Sequence, residues 1–237
     1  MEITKHFLVN LSILLILLFL YFAIIEKGKR YIPQKFSLII LFVIMLWTCI
    51  QFSYTLGPNA RLDLRIIPFV IGSVYLGIGP ILLLALIVFR SFYGLNTGFI
   101  ETLIFYGAFT LLAWWIRPWI WRKGSVRRIL FSIFLGIALG ILTISGIELL
   151  DPHPNWFDAW FAYLVIPPIG IGIITYGIEF VRQNIHMSQQ LVKTEKLKAV
   201  EQMGAAISHE IRNPLTAASG FVQLLQDDYL PRHKRRE

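Results

Sequence analysis

The sequence predicts an all-α fold: a multi-pass transmembrane helical bundle, then a polar helical connector and a last helix with one apolar face. Three observations carry that reading. The 237 residues are 56% hydrophobic and only 15% charged, with a mean hydropathy of +0.65, which is more apolar surface than a soluble domain hides. The apolar residues come in blocks long enough to cross a bilayer, which takes roughly 20 residues of helix. After Val181 the chain turns polar, and its apolar residues then recur every three or four positions. The expected domains are a membrane unit over 1–181, a connector over 182–203 and a final segment over 204–237.

Six blocks precede residue 182. Phe7–Ile25, Phe36–Leu56, Ile66–Phe89 and Phe131–Ile147 contain no Asp, Glu, Lys or Arg, while Phe99–Ile116 and Ala159–Val181 carry one acid each, Glu101 and Glu179. The first block follows a short basic lead at Lys5 and is followed by no small-residue cleavage site, so it reads as a retained helix.

Loop charge orients the blocks. Loop 26–35 holds Lys27, Lys29, Arg30 and Lys35, and loop 117–128 holds Arg117, Arg122, Lys123, Arg127 and Arg128. Loop 151–158 has no Lys or Arg and two acids. Basic loops stay on the cytoplasmic side, but six straight crossings place these two on opposite sides. The third block resolves the conflict. It carries Pro68, Gly72, Gly77, Gly79 and Pro80, so it is expected to break near its middle and return to the side it came from. Five crossings then remain, with the N-terminus outside and the tail after Arg182 in the cytoplasm. Six helices are the alternative. A broken segment is tolerated in a membrane only where protein or trapped water satisfies its backbone.

Smaller features fit the same picture. Gly136 and Gly140 make a Gly-x-x-x-Gly step for close helix packing. Pro167-Pro168 is expected to interrupt and kink the last crossing. Trp114, Trp115, Trp119, Trp121, Trp156 and Trp160 lie near block ends, the ordinary place for an aromatic belt. The single cysteine, Cys49, excludes an internal disulfide and a cysteine metal cluster. The net charge of +8 comes mainly from short loops beside apolar blocks, which points to anionic lipid and away from nucleic acid.

The chemistry is expected in Met203–Leu225. Leu197, Val200, Met203, Ile207, Ile211, Leu215, Ala218, Val222 and Leu225 form one helical stripe. His209 is two residues from both Ile207 and Ile211, so at about 100° per residue it should face away from that stripe. Glu210 follows it, Asn213 comes one turn later, and Pro214 removes the N–H that the Glu210 carbonyl would use, which favours a bend. An exposed imidazole beside a carboxylate suits nucleophilic phosphoryl transfer, with one ring nitrogen attacking and the carboxylate accepting the proton of the other.

His-Glu-Ile-Arg-Asn-Pro-Leu-Thr, between Met-Gly-Ala-Ala-Ile-Ser and Gly-Phe-Val-Gln-Leu-Leu, resembles the H-box of sensor histidine kinases. The resemblance implies that His209 is the phospho-acceptor, Glu210 the general base and Asn213 the residue that positions water for dephosphorylation, with Pro214 at the bend. It implies the first helix of a dimeric four-helix bundle, a homodimer, and phosphoryl transfer to an aspartate of a response regulator. Asp63-Leu64-Arg65-x-x-Pro68, Gly72, Gly79-Pro80, Arg90 and Tyr93-Gly94 are similar to the five-transmembrane LytS/YhcK-type receptor domain, a pairing typical of sporulation kinases in the bacterial plasma membrane. The family continues into an ATP-binding domain that uses ATP and Mg, and no phosphate-cradling glycine loop follows the H-box here. The chain is therefore expected to hold the sensor and phospho-acceptor parts, to bind no cofactor itself and to be inactive alone. Its basic run Arg232–Arg236 is expected to open the second helix of the bundle.

Arg61, Arg65 and Arg90 should meet at the outer face beside the broken block, where guanidinium groups can clamp the carboxylate of a small extracellular ligand. Structural arginines are the competing reading. Glu148, Asp151 and His153 form a second outward polar group, too poor in ligands for a metal. Two other functions compete with the kinase: a transport or channel protein, which the broken block would suit, and a non-catalytic membrane adaptor.

Overall fold

The computed structural model describes residues 1–27, 34–55, 61–150 and 156–226. Loop residues 28–33, the turn with Asp151 and His153, and the basic run Arg232–Arg236 lie outside them. Two compact units divide the chain, Met1–Phe180 and Val181–Glu237. The elements are α1 (Glu2–Lys27), α2 (Gln34–Gln51), β1 (Tyr54–Thr55), β2 (Arg61–Leu62), α3 (Ile66–Ile71) running into a π-helical turn (Gly72–Leu76), α4 (Gly79–Ser91), α5 (Thr97–Trp121), α6 (Ser125–Leu150) and α7 (Trp156–Gln226).

The all-α expectation holds, with one addition. β1 and β2 pair antiparallel, Tyr54 opposite Leu62 and Thr55 opposite Arg61. This ribbon shortens the second block: α2 ends at Gln51, so Phe52 to Thr55 do not extend it. Four described helices, α1, α5, α6 and the start of α7, are long and apolar enough to cross a membrane. The 18 residues of α2 span about 27 Å, just under a typical hydrocarbon core.

Membrane character also shows in what faces outward. Phe19, Leu84, Leu111, Trp114, Trp115, Leu130, Phe134 and Phe157 are all exposed, on helices that bury apolar residues on their other faces. A soluble protein rarely leaves so much contiguous apolar surface in water; lipid solvates it without cost.

The core forms around α3, all six residues of which are buried. Phe69 meets Tyr106 edge-on at 4.8 Å between ring centroids. The break expected in the third block is present and falls at Gly77. Its φ is +71°, a left-handed conformation in which a side chain costs about 1–2 kcal/mol. A Cβ there would also lie 2.5 Å from Arg117 Cζ, so only glycine lets that guanidinium approach. Arg117 donates from Nε to the Val74 carbonyl (3.3 Å) and from Nη2 to the Leu76 carbonyl (3.3 Å), and Trp121 Nε1 donates to Val74 as well (3.1 Å). These bonds satisfy carbonyls that a helix ending here leaves without N–H partners.

Beyond the break α4 returns. Arg61, before the hairpin, lies 4.1 Å over the ring of Tyr93, after it, and Tyr93 Oη donates to Gln51 Oε1 at 2.9 Å. The start of α3 and the end of α4 therefore lie close together. The Gly-x-x-x-Gly step packs α6 on α7: a Cβ at Gly136 would meet Ile171 Cδ1 at 2.2 Å, and one at Gly140 would touch the Tyr163 carbonyl oxygen at 3.6 Å. Pro167-Pro168 does not interrupt α7, which is helical from Trp156 onward; the pair removes two consecutive N–H groups while the residues on either side keep theirs. Arg127 and Arg128, expected in a loop, belong to α6, which starts at Ser125 just after Gly124.

Asp63 and Arg65 are buried together, with Arg65 Nε 2.6 Å from Asp63 Oδ1 and Nη2 2.5 Å from Oδ2. Removing one partner of such a pair leaves an uncompensated buried charge, a loss of about 3–5 kcal/mol. Chemical unfolding in detergent should show that loss for Asp63→Asn, and a smaller one for Asp63→Asn combined with Arg65→Gln. Equal losses for the two would mean that the ion pair is not what Asp63 contributes.

Candidate functional site on α7

α7 carries the H-box residues within the second unit. Helix is favoured there because residues 182–203 hold no glycine or proline and are rich in Gln, Lys and Glu. Two hydroxyls bracket the motif: Ser208 Oγ donates to the Gly204 carbonyl at 2.8 Å and Thr216 Oγ1 to the Arg212 carbonyl at 2.8 Å. These back-bonds keep both side chains on the helix surface. The helix continues through Pro214, although the proline leaves the Glu210 carbonyl without its usual donor.

The apolar stripe is present and is uncovered among the described residues. Leu197, Val200, Met203, Ile207, Ile211, Leu215 and Val222 are each more than half exposed. Ile207, Glu210, Ile211, Pro214, Leu215 and Ala218 line one open depression, so Glu210 and Pro214 border the stripe. The backbone puts His209 one residue before Glu210, and Asn213 about 6 Å further along the axis. Glu210, Asn213 and Pro214 are exposed; the His209 side chain is outside the description, as are those of Ala205 and Ala206. An isolated helix gains little from propensity alone and depends on burying its apolar face. A second copy of the same stripe would do so, in the knobs-into-holes manner of bundles.

The three arginines lie in the first unit, and the structure gives each a different setting. Arg65 is bound by Asp63 and reaches Thr102 Oγ1 at 3.4 Å. Arg61 stacks on Tyr93 and reaches Ser53 Oγ at 3.5 Å. Arg90 is buried, and its Nη2 donates at 3.0 Å to Asn96 Oδ1, which also accepts from Phe99 N as the cap of α5. Arg90 Nη1 is buried without a hydrogen-bond partner among the described residues. Sequence reading missed Asp63 as the partner of Arg65, although Asp-x-Arg was the available signal. It also missed the partners of two tryptophans: Trp121 caps Val74, and Trp160 Nε1 donates to Glu148 Oε2 at 3.0 Å.

Comparison with known proteins bears on α7 first. Residues 199–237 match the family model of the His Kinase A (phospho-acceptor) domain. Over 201 aligned positions the chain is 27% identical to Sensor protein DegM of Bacillus sp. (strain B21-2), an alignment covering 76% of this chain and 50% of that one. It is 47% identical over 53 residues to Sporulation kinase B of Bacillus subtilis (strain 168), covering 22% of this chain and 12% of the relative. It is 56% identical over 36 residues to Sporulation kinase A of the same organism, covering 15% and 6%. The chain thus spans about half the length of DegM and less of the others. No solved structure matches.

An uncovered stripe on a phospho-acceptor helix has a direct consequence. Ile211→Asp puts a charge where a leucine-sized group is buried on pairing, and that burial is worth about 2 kcal/mol. Analytical ultracentrifugation of the detergent-solubilised chain should show self-association weakened by about tenfold or more, whereas Arg212→Ala, off the stripe, should leave it within about twofold. Residues 199–237 thus match the His Kinase A (phospho-acceptor) domain model, and the chain is similar to a Bacillus sensor protein and to Bacillus subtilis sporulation kinases.

Proposed function

We propose that this chain is the sensor and phospho-acceptor part of a membrane histidine kinase that works in a two-component system or phosphorelay, with sporulation as its setting. The observation that carries the reading is the H-box on a helix whose apolar stripe has no partner among the described residues. In a homodimer the stripes cover each other, and the sequence spacing assigns His209 to the face away from them. ATP with Mg, held by a catalytic domain in the whole protein, is the phosphoryl donor. A His209 ring nitrogen attacks the γ-phosphorus, the bond to ADP breaks, and Glu210 takes up the proton from the other nitrogen. The phospho-imidazole then passes the group to an aspartate carboxylate of a response regulator. Asn213 orients the water that removes it by hydrolysis, and Pro214 supplies local helix freedom beside the histidine.

The first unit is the receptor in this reading. Five crossings by α1, α2, α5, α6 and α7, with the α3–α4 hairpin returning to the outside, leave the tail in the cytoplasm. The ends of that hairpin meeting at Arg61 and Tyr93 support the arrangement, as do the loop charges. Basic loop residues bind anionic lipid on the inner leaflet. Arg61, Arg65 and Arg90 form the outer site for a small carboxylate ligand, and Arg90 Nη1, buried without a hydrogen-bond partner among the described residues, has a donor left to offer it.

The test mixes the chain in lipid vesicles with the ATP-binding half of a related kinase and labelled ATP. A chain completed with a related second bundle helix runs beside it, to support docking. Acid-labile, base-stable label is expected on the wild type and none on His209→Gln. Asn213→Ala should retain label about tenfold longer when phosphatase activity is assayed. Absence of label from both wild-type forms, with the added kinase half active on its own partner, would refute the phospho-acceptor reading.

A further inference from the structure

α7 is fastened just before it leaves the first unit. Glu179, one residue from the end of that unit, is 3% exposed. Arg128 of α6 grips it with Nε 2.8 Å from Oε1 and Nη2 donating to Oε2 at 3.1 Å. One hydrogen bond and one close charge contact therefore hold the carboxylate against the guanidinium. An acid in an otherwise apolar helix end needs such a partner, and its loss exposes a charge to a medium that solvates it poorly.

The pair is not isolated. Arg128 Cζ lies 5.0 Å over the Trp121 ring, and Arg117 Cζ lies 5.8 Å from the same ring. Trp121 and Arg117 are the two side chains that cap Val74 and Leu76 at the tip of the broken hairpin. One cluster therefore joins the hairpin tip, the end of α5, the start of α6 and α7. The tip is held there by side-chain caps on carbonyls that lack helical N–H partners, so it can shift without unfolding either arm. Any such shift moves Trp121, and with it the surface on which Arg128 rests.

We propose that the Arg128–Glu179 pair is a latch on α7, set or released by the hairpin tip through Trp121 and Arg117. Its output, a change in phosphorylation of His209, rests on the phospho-acceptor reading. The latch itself rests on the contacts within the first unit. Arg128 and Glu179 are positioning residues: they act on His209 through the helix that carries it.

Two readouts test this on the chain in phosphatidylcholine vesicles, using Arg128→Gln, Glu179→Gln, Trp121→Phe and the charge-exchanged pair Arg128→Glu with Glu179→Arg. Trp121→Phe keeps an aromatic ring under Arg128 but cannot donate to Val74. Hydrogen exchange of the amides in residues 176–186 should rise about fivefold or more in each single variant, with α1 amides unchanged. Label on His209, supplied by the ATP-binding half of a related kinase, should change about threefold or more, in one direction for all three. The exchanged pair should return both readouts to within about twofold of the wild type. Unchanged exchange in residues 176–186 overturns the latch, and so does an equal rise in α1, which would report general loosening. Faster exchange with unchanged label overturns it as a control device and leaves a structural ion pair. If the charge variants fail to fold, Trp121→Phe decides alone. Absence of label from the wild type refutes the phospho-acceptor reading, and the exchange arm with the charge-exchanged rescue then decides the latch.

Discussion

Everything in the first unit follows from the need to give each buried backbone group a partner where water does not compete. Straight helices meet it internally. The hairpin of α3 and α4 does not, because the chain must reverse inside the unit, and the reversal leaves Val74 and Leu76 with carbonyls that no backbone N–H can reach. Arg117 and Trp121 answer that deficit from α5. Placing an arginine there creates a charge that the surroundings must accommodate, and aromatic faces and the C-terminal end of the helix both favour it. The same logic appears at the other end of the hairpin, where Arg65 is held by Asp63 and Arg90 by the cap of α5. Break, caps and charges form one solution to one problem.

The second unit is governed by a different constraint. Among its described residues it buries no core of its own; the apolar ones form a stripe on a single helix. Pairing along that stripe divides the helix into a hidden face and an open one. Glu210 and Pro214 mark the border between those two regions.

Much of this was legible from residue types and spacing, and the failures have physical reasons. Five glycines and prolines marked the third block as broken, but only one breaks it. Pro68 and Pro80 fall in the first turns of α3 and α4, where a missing N–H is harmless, and Gly72 keeps helical dihedrals at φ −62°; Gly77 alone takes a positive φ where an arginine crowds in. The end of α2 was misplaced because hydropathy does not distinguish an apolar helix from an apolar strand, and Tyr54 serves the ribbon as well as it would a helix. Arg128 looked like loop charge because Ser125 was not read as the start of a helix. Trp121 and Trp160 were hidden by a general explanation, the aromatic belt, that accounts for tryptophans without asking what the indole N–H does. The H-box was legible in full because its residues are adjacent in sequence, whereas Arg128 and Glu179 are 51 positions apart and no local pattern joins them.

The bare stripe on α7 has a consequence for how the protein meets its own copies. Free in solution, such a helix would find a mate at a rate set by bulk dilution. Tethered to a lipid-embedded unit, it diffuses in a sheet instead of a volume. Confinement of this kind raises the effective local concentration without adding a contact. Crowding of copies within a patch of membrane thus becomes a variable of the system, and a weak seam that would fall apart in a test tube can be almost fully paired on a cell.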